Sequence, residues 1–176
     1  MRNAAPPGEG PHIQLGLKKG YLRETNGHIL YVACGKKYKA ADPEESVRAA
    51  FYVQLIEKYQ YPPERIDVEV EVPRRTPSDY ADIVVYSDDQ SKSPFIVVEC
   101  KREGLSHKET NQGIEQAFGN ANSVRARYAV LVAGTTLIAF DVGAFRPGER
   151  QKNVVADLPI HYGKPRKFRF VKADPD

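Results

Sequence analysis

Hydrophobic and polar positions change rhythm several times along the 176 residues. Near the N-terminus, Tyr21-Leu22 and Ile29-Leu30-Tyr31-Val32 flank Asn26-Gly27. That pair favours the positive φ angles of a two-residue turn, so Tyr21 to Ala33 reads as a β-hairpin. Lys36-Lys37-Tyr38-Lys39 follows as a basic loop. Val47, Phe51, Leu55 and Tyr59 then recur at the spacing of one helix face. Asp42 as N-cap, Pro43 at the first helical position and Glu44-Glu45 in the first turn predict where that helix starts. Tyr61-Pro62-Pro63 predicts its end. With this phase Glu44, three residues before Val47, lies on the core-facing side, and Glu45 points about 100° away.

The rhythm next shortens to two. Ile66, Val68, Val70 and Val72 alternate with Asp67, Glu69 and Glu71, the pattern of a half-buried strand. Tyr80 to Tyr86 and Phe95 to Cys100 are mostly apolar on both faces, as in the middle of a sheet covered twice. The polar loop Ser87 to Pro94 joins them. A second helix is predicted from His107 to about Ser123. Tyr128 to Ala133 and Thr136 to Phe140 read as two strands around Gly134, and Val154-Val155 as a short edge. The Pro- and Gly-rich residues 1–16 predict a poorly ordered N-terminal segment. This order predicts an α/β fold: one mixed central sheet flanked by helices, with an N-terminal hairpin. Residues 17–157 form the expected domain, and 158–176 a basic extension or linker.

Composition narrows the class. Cys34 and Cys100 are too few for a disulfide framework and sit in no zinc-type cluster, which fits a reducing cytoplasm. Apolar runs reach only six or seven residues, too short for a transmembrane helix. The first residues lack the apolar core of a signal peptide. A cytoplasmic protein with no membrane partner is the expectation. The net charge of +3 is small, but unevenly placed. Residues 1–100 carry 13 basic and 15 acidic groups, and residues 101–176 carry 13 and 8. Lys164 to Lys172 holds five of the basic groups beside two phenylalanines. Such a stretch suits a polyanion, and equally a solvated tail.

The candidate chemistry lies on the two most apolar strands. Paired antiparallel through a symmetric loop, they place Asp82 opposite Glu99 on one face, with Cβ atoms about 5 Å apart. Lys101, two residues further on, shares that face. Charged groups on apolar strands need compensation. Two carboxylates offer the hard oxygens that suit Mg²⁺ or Mn²⁺. A neighbouring lysine could position or deprotonate water and stabilise charge on a phosphate. The same residues also permit a plain Glu99–Lys101 surface pair with Asp82 isolated. Cys100, between them, points the other way as a small core residue. Gln112, Gln116 and Asn120 form a stripe on the second helix. It could orient the lysine, contact a DNA backbone or face solvent.

The segment from Asp82 through sixteen residues to Glu99-Cys100-Lys101 resembles the PD-(D/E)XK nuclease superfamily. Over about 42–142 the chain most resembles the N-terminal nuclease domain of type I restriction enzyme R subunits. The matching pieces, in order, are Pro43-Glu44-Glu45-Ser46-Val47-Arg48, Tyr61-Pro62, Ala81-Asp82-Ile83-Val84-Val85, Val97-Val98-Glu99-Cys100-Lys101, Gln116 and Tyr128 to Gly134. The resemblance implies a restriction-endonuclease-like core and a Mg²⁺-dependent endonuclease that hydrolyses DNA phosphodiesters to 5′-phosphates, with Mn²⁺ as a substitute ion. It implies that Asp82, Glu99 and the Cys100 carbonyl hold the metal, with Glu44 supporting its shell. Lys101 would act on the water, and Gln116 would steady the lysine or the strand. Ala81 replaces the pattern's proline, and Asn120 stands where a related pattern has tyrosine. DNA is the implied partner, with methyltransferase, specificity and motor domains or subunits elsewhere, since no G-x-x-x-x-G-K-[ST] loop is present. Two alternatives are a free-standing repair or structure-specific nuclease and a non-catalytic DNA-binding module on the same fold.

Overall fold

The computed structural model describes residues 10–73, 79–144 and 147–163. It opens with helix α1 (Pro11–Lys19), which stops at Gly20 with φ 79°. The poorly ordered segment expected over 1–16 is thus helical from residue 11; residues 1–9 lie outside the described residues. The physical reason is packing. Ile13 and Gly16 are buried, and a Cβ on Gly16 would sit 2.5 Å from Val53 Cγ2 and 3.0 Å from Leu22 Cδ1. The missing side chain lets α1 close onto the next helix.

Strands β1 (Leu22–Thr25), β2 (His28–Tyr31) and β3 (Lys36–Lys39) form a three-stranded antiparallel sheet in that order. Asn26 and Gly27, with φ 50° and 72°, make the β1–β2 turn and bear out the hairpin. The basic loop expected at 36–39 is instead a third strand, paired with β2 from His28↔Lys39 to Tyr31↔Lys36. Tertiary pairing overrides lysine's poor strand propensity.

Helix α2 (Pro43–Glu57) begins as expected, with the Asp42 side chain accepting from the Glu44 amide and Pro43 in the first turn. Strands β4 (Ile66–Val72), β5 (Asp79–Tyr86), β6 (Pro94–Lys101), β7 (Tyr128–Ala133), β8 (Thr136–Asp141) and β9 (Val154–Val155) form a six-stranded mixed sheet in chain order. Only β6 and β7 run parallel. Helix α3 (His107–Val124) makes the crossover between them, opened by a Ser106/Glu109 capping box and closed at Arg125 with φ 61°.

Two apolar layers clasp this sheet. On one face α1, α2 and the three-stranded sheet pack on Val68, Ile83, Val85, Ile96, Val98 and Cys100. On the other, Ala117, Phe118 and Ala121 of α3 pack on Val84, Val97, Ala129 and Phe140. The boundary expected at residue 157 falls inside packed structure. Leu158 is buried, Tyr61 donates to the Pro159 carbonyl at 2.6 Å, and Tyr162 donates to the Tyr86 carbonyl at 2.6 Å. The basic stretch 164–172 lies outside the described residues.

Gly16→Ala should therefore destabilise the chain by about 1–3 kcal/mol, the cost of overpacking a well-filled contact. Urea denaturation followed by circular dichroism checks it; an unchanged midpoint would mean that α1 is not seated on Val53.

Candidate active site

The β5–β6 register runs Val84↔Val97 and Ile83↔Val98 and ends there, one residue short of the expected Asp82–Glu99 opposition. The Asp82 Oδ2 accepts the Cys100 backbone amide at 2.7 Å. Cys100 itself belongs to the core on the α2 side, as expected. Next to Asp82 the strands change phase. Ile66 and Val68 face the α2 layer, whereas Val70 and Val72 join the α3 layer; on β5, Ile83 and Ala81 divide in the same way. The switch sits at Glu69, which has φ 48° within β4. The strained backbone is held from the three-stranded sheet: Lys36 Nζ donates to the Val68 carbonyl at 2.7 Å and the Glu69 carbonyl at 3.3 Å. Strain of this kind persists where the surroundings over-determine it.

Arg48 reaches this corner from α2. It is bonded and ion-paired to Glu45 and to Glu69, and its Nη1 lies 3.4 Å from Asp82 Oδ1. Glu45 also accepts from the Tyr31 hydroxyl at 2.7 Å, and the Tyr38 ring lies 4.6 Å from the guanidinium. Glu45 is 1% exposed; Glu44 is half-exposed, with its carboxylate 3.9 Å from Lys101 Nζ. The expected face Phe51, Leu55 and Tyr59 is buried, with Val47 packed against it, but Glu45 is the buried acid, not the outward one. Glu44 nevertheless stays at the site through Lys101. Helix α1 and strands β5, β6 and β7 all pack on α2, so the helix is buried on more than one side and the Val47 face alone does not decide which acid is buried.

Glu99 is 1% exposed. One oxygen bonds Lys101 Nζ at 2.7 Å; the other, Oε2, is buried with no hydrogen-bond partner. Burial raises the Glu99 pKa, and the charge of Asp82 raises it further. Burial likewise raises Asp82, against the Cys100 amide and Arg48. Burial opposes the charge on Lys101, but the bond to Glu99 and the surrounding carboxylates outweigh it and hold the ammonium above its usual value. Among the described residues, Glu44, Glu45, Glu69, Asp82 and Glu99 ion-pair only with Arg48 and Lys101.

Not every expected member joins this cluster. Gln116 is half-buried on α3 and bonds neither Glu99 nor Lys101. Gln112 is exposed. Asn120 is fully buried and donates to the Tyr80 carbonyl at 3.3 Å, tying α3 to β5. The sequence pattern sets Glu45 on the outward side and gives Arg48 and Glu69 no part in the site. The one available signal was a charged residue, Arg48, inside an apolar helical run. Among the described residues no three His, Cys, Asp or Glu side chains form a metal cluster. The carboxylates of Asp82 and Glu99, the latter with one unpartnered oxygen, are hard donors of the kind that suits a hard cation.

A mixed sheet between helices, with two acids and a lysine converging at the β5–β6 end, defines a restriction-endonuclease-like nuclease fold. The family model for the type I restriction enzyme R protein N terminus matches residues 43–159, more than half of the chain, and the chain belongs to that family. A comparison with curated proteins finds no match. Membership points to a restriction-system nuclease domain. Among the described residues no helix is long and apolar enough to cross a membrane.

Arg48→Met should cost about 3–5 kcal/mol, because it leaves Glu45 buried and uncompensated; Glu45→Gln with Arg48→Met should recover most of that loss. Urea denaturation of both variants checks it, and a double variant as unstable as the single would contradict the pairing. A second expectation concerns pH. Asp82 and Glu99 have raised folded values, so they favour folding when protonated and withdraw that support as pH rises through those values. In EDTA, thermal stability should therefore fall as pH climbs above the ordinary carboxyl range, and Glu99→Gln should flatten the fall. Melting curves across pH test this; a parallel decline in the variant would place the cause elsewhere.

Proposed function

We propose that the chain is a Mg²⁺-dependent DNA endonuclease domain of a type I-like restriction system, working with motor, specificity and methyltransferase parts. The observation that carries this reading is the buried, unpartnered Glu99 Oε2, beside Asp82 in a corner with an excess of carboxylates. A buried carboxylate without a partner is costly, and a bound divalent ion is the partner that best relieves it. Asp82, Glu99 and the Cys100 carbonyl would hold the ion, and Mn²⁺ could replace it. When bound, the ion offsets charge on the phosphate and on the leaving oxygen. Glu44, across from Lys101, supports the shell by fixing the ammonium. Arg48 and the Cys100 amide hold the Asp82 carboxylate in one orientation. Lys101 is kept protonated by its neighbours, which suits it to orient the attacking water and steady the phosphate rather than to take a proton. Gln116, without a bond to Lys101, is better suited to the DNA backbone.

Water attack on phosphorus with cleavage of the P–O3′ bond leaves a 5′-phosphate. Lys101→Ala should lower single-turnover cleavage by on the order of 10²-fold or more, the usual effect of losing one such contact. DNA affinity should fall only modestly, because one phosphate contact among several is lost. Calorimetry should show Mg²⁺ or Mn²⁺ binding to the wild type and its loss in Asp82→Ala. Equal metal binding by both proteins, or wild-type cleavage by Lys101→Ala, would remove the nuclease reading.

A further inference from the structure

The outer face of the three-stranded sheet carries charge that the proposed site does not use. Exposure alternates along β3: Lys36 and Tyr38 are half-buried, Lys37 and Lys39 exposed. Lys37 lies opposite Leu30, which lies opposite Arg23, and Lys39 lies opposite His28. One face therefore displays Arg23, Lys37, Lys39 and the half-buried His28. Glu24 alternates onto the other face with buried Leu22, so the strands put no carboxylate beside these cations. Lys19, Lys36, Lys58 and Lys152 each meet a carboxylate. Arg23, Lys37 and Lys39 make no ion pair among the described residues.

The reverse face of the same sheet is bonded to the site. Tyr38 stacks on Arg48, Tyr31 bonds Glu45, and Lys36 holds the Glu69 kink. The uncompensated cations thus stand one strand layer away from the acidic corner. Lys37 and Lys39, two residues apart on a strand, are separated by about 6.6 Å, enough to engage separate phosphates.

We propose that this outer face binds the phosphate backbone of duplex DNA, an inference that rests on the nuclease reading. Lysines on an edge strand can also serve only to block edge-to-edge aggregation, and the test separates the two roles. The full chain carrying Lys37→Gln and Lys39→Gln is compared with a control of equal net charge, Lys18→Gln with Arg125→Asn. Arg125 has φ 61°, a conformation that asparagine accepts. Binding to a short duplex is followed by fluorescence anisotropy over a range of salt, with metal binding measured by calorimetry.

For the β3 variant the slope of log affinity against log salt should fall by about 1.8, for two lost phosphate contacts. The control should keep the wild-type slope, and all three proteins should bind metal equally. A wild-type slope in the β3 variant overturns the proposal. If that variant also aggregates, edge protection is the role of the lysines. A wild type that binds metal but no duplex overturns the face alone, and one that binds neither overturns the nuclease reading with it.

Discussion

The corner where β4, β5 and α2 meet depends on one buried charge. Arg48 is nearly inaccessible, yet it is bonded to Glu45 and Glu69 and lies beside Asp82. A guanidinium in an apolar layer is tolerable only when its donors are satisfied, and its planar fork allows several carboxylates at once. Each carboxylate comes from a different element, so the ion cluster couples the helix to both strands. Were Arg48 absent, Glu45 would be an uncompensated charge inside the α2 layer, and Asp82 would keep only the Cys100 amide.

The three-stranded sheet takes part in this coupling. Tyr31, Lys36 and Tyr38 all point at the corner, and each touches either the buried ion cluster or the kinked backbone of β4. The sheet is therefore part of the scaffold of the site rather than an ornament at the N-terminus. Lys36 holds two carbonyls that the Glu69 kink turns out of the regular ladder. The kink in turn lets β4 and β5 exchange faces between the two apolar layers, and Asp82 lies at that exchange.

A second, less satisfied charge sits two strands in. Glu99 has one oxygen on Lys101 and one with nothing. The contrast is with Glu45, whose two oxygens are both bonded. Their sequence contexts do not reveal this difference. Their surroundings do, because low local dielectric makes every missing partner expensive.

Most elements were legible in the chain. Asn26-Gly27, Asp42-Pro43 and the alternating run from Ile66 act through local chemistry and needed no partner to be read. The nearness of Asp82 to the Glu99–Lys101 end of β6 was also legible, since antiparallel pairing of the two apolar strands brings them together. Three features belonged to the tertiary structure alone. Lys36 to Lys39 became a strand because β2 offered it an edge. α2 turned Glu45 inward because layers on several sides compete for its surface. Glu69 adopted a left-handed backbone because Lys36 and Arg48, distant in sequence, hold it there. Periodicity reports which residues prefer burial, but when a helix is enclosed on several sides the choice of buried acid falls to whichever one finds its counter-charge.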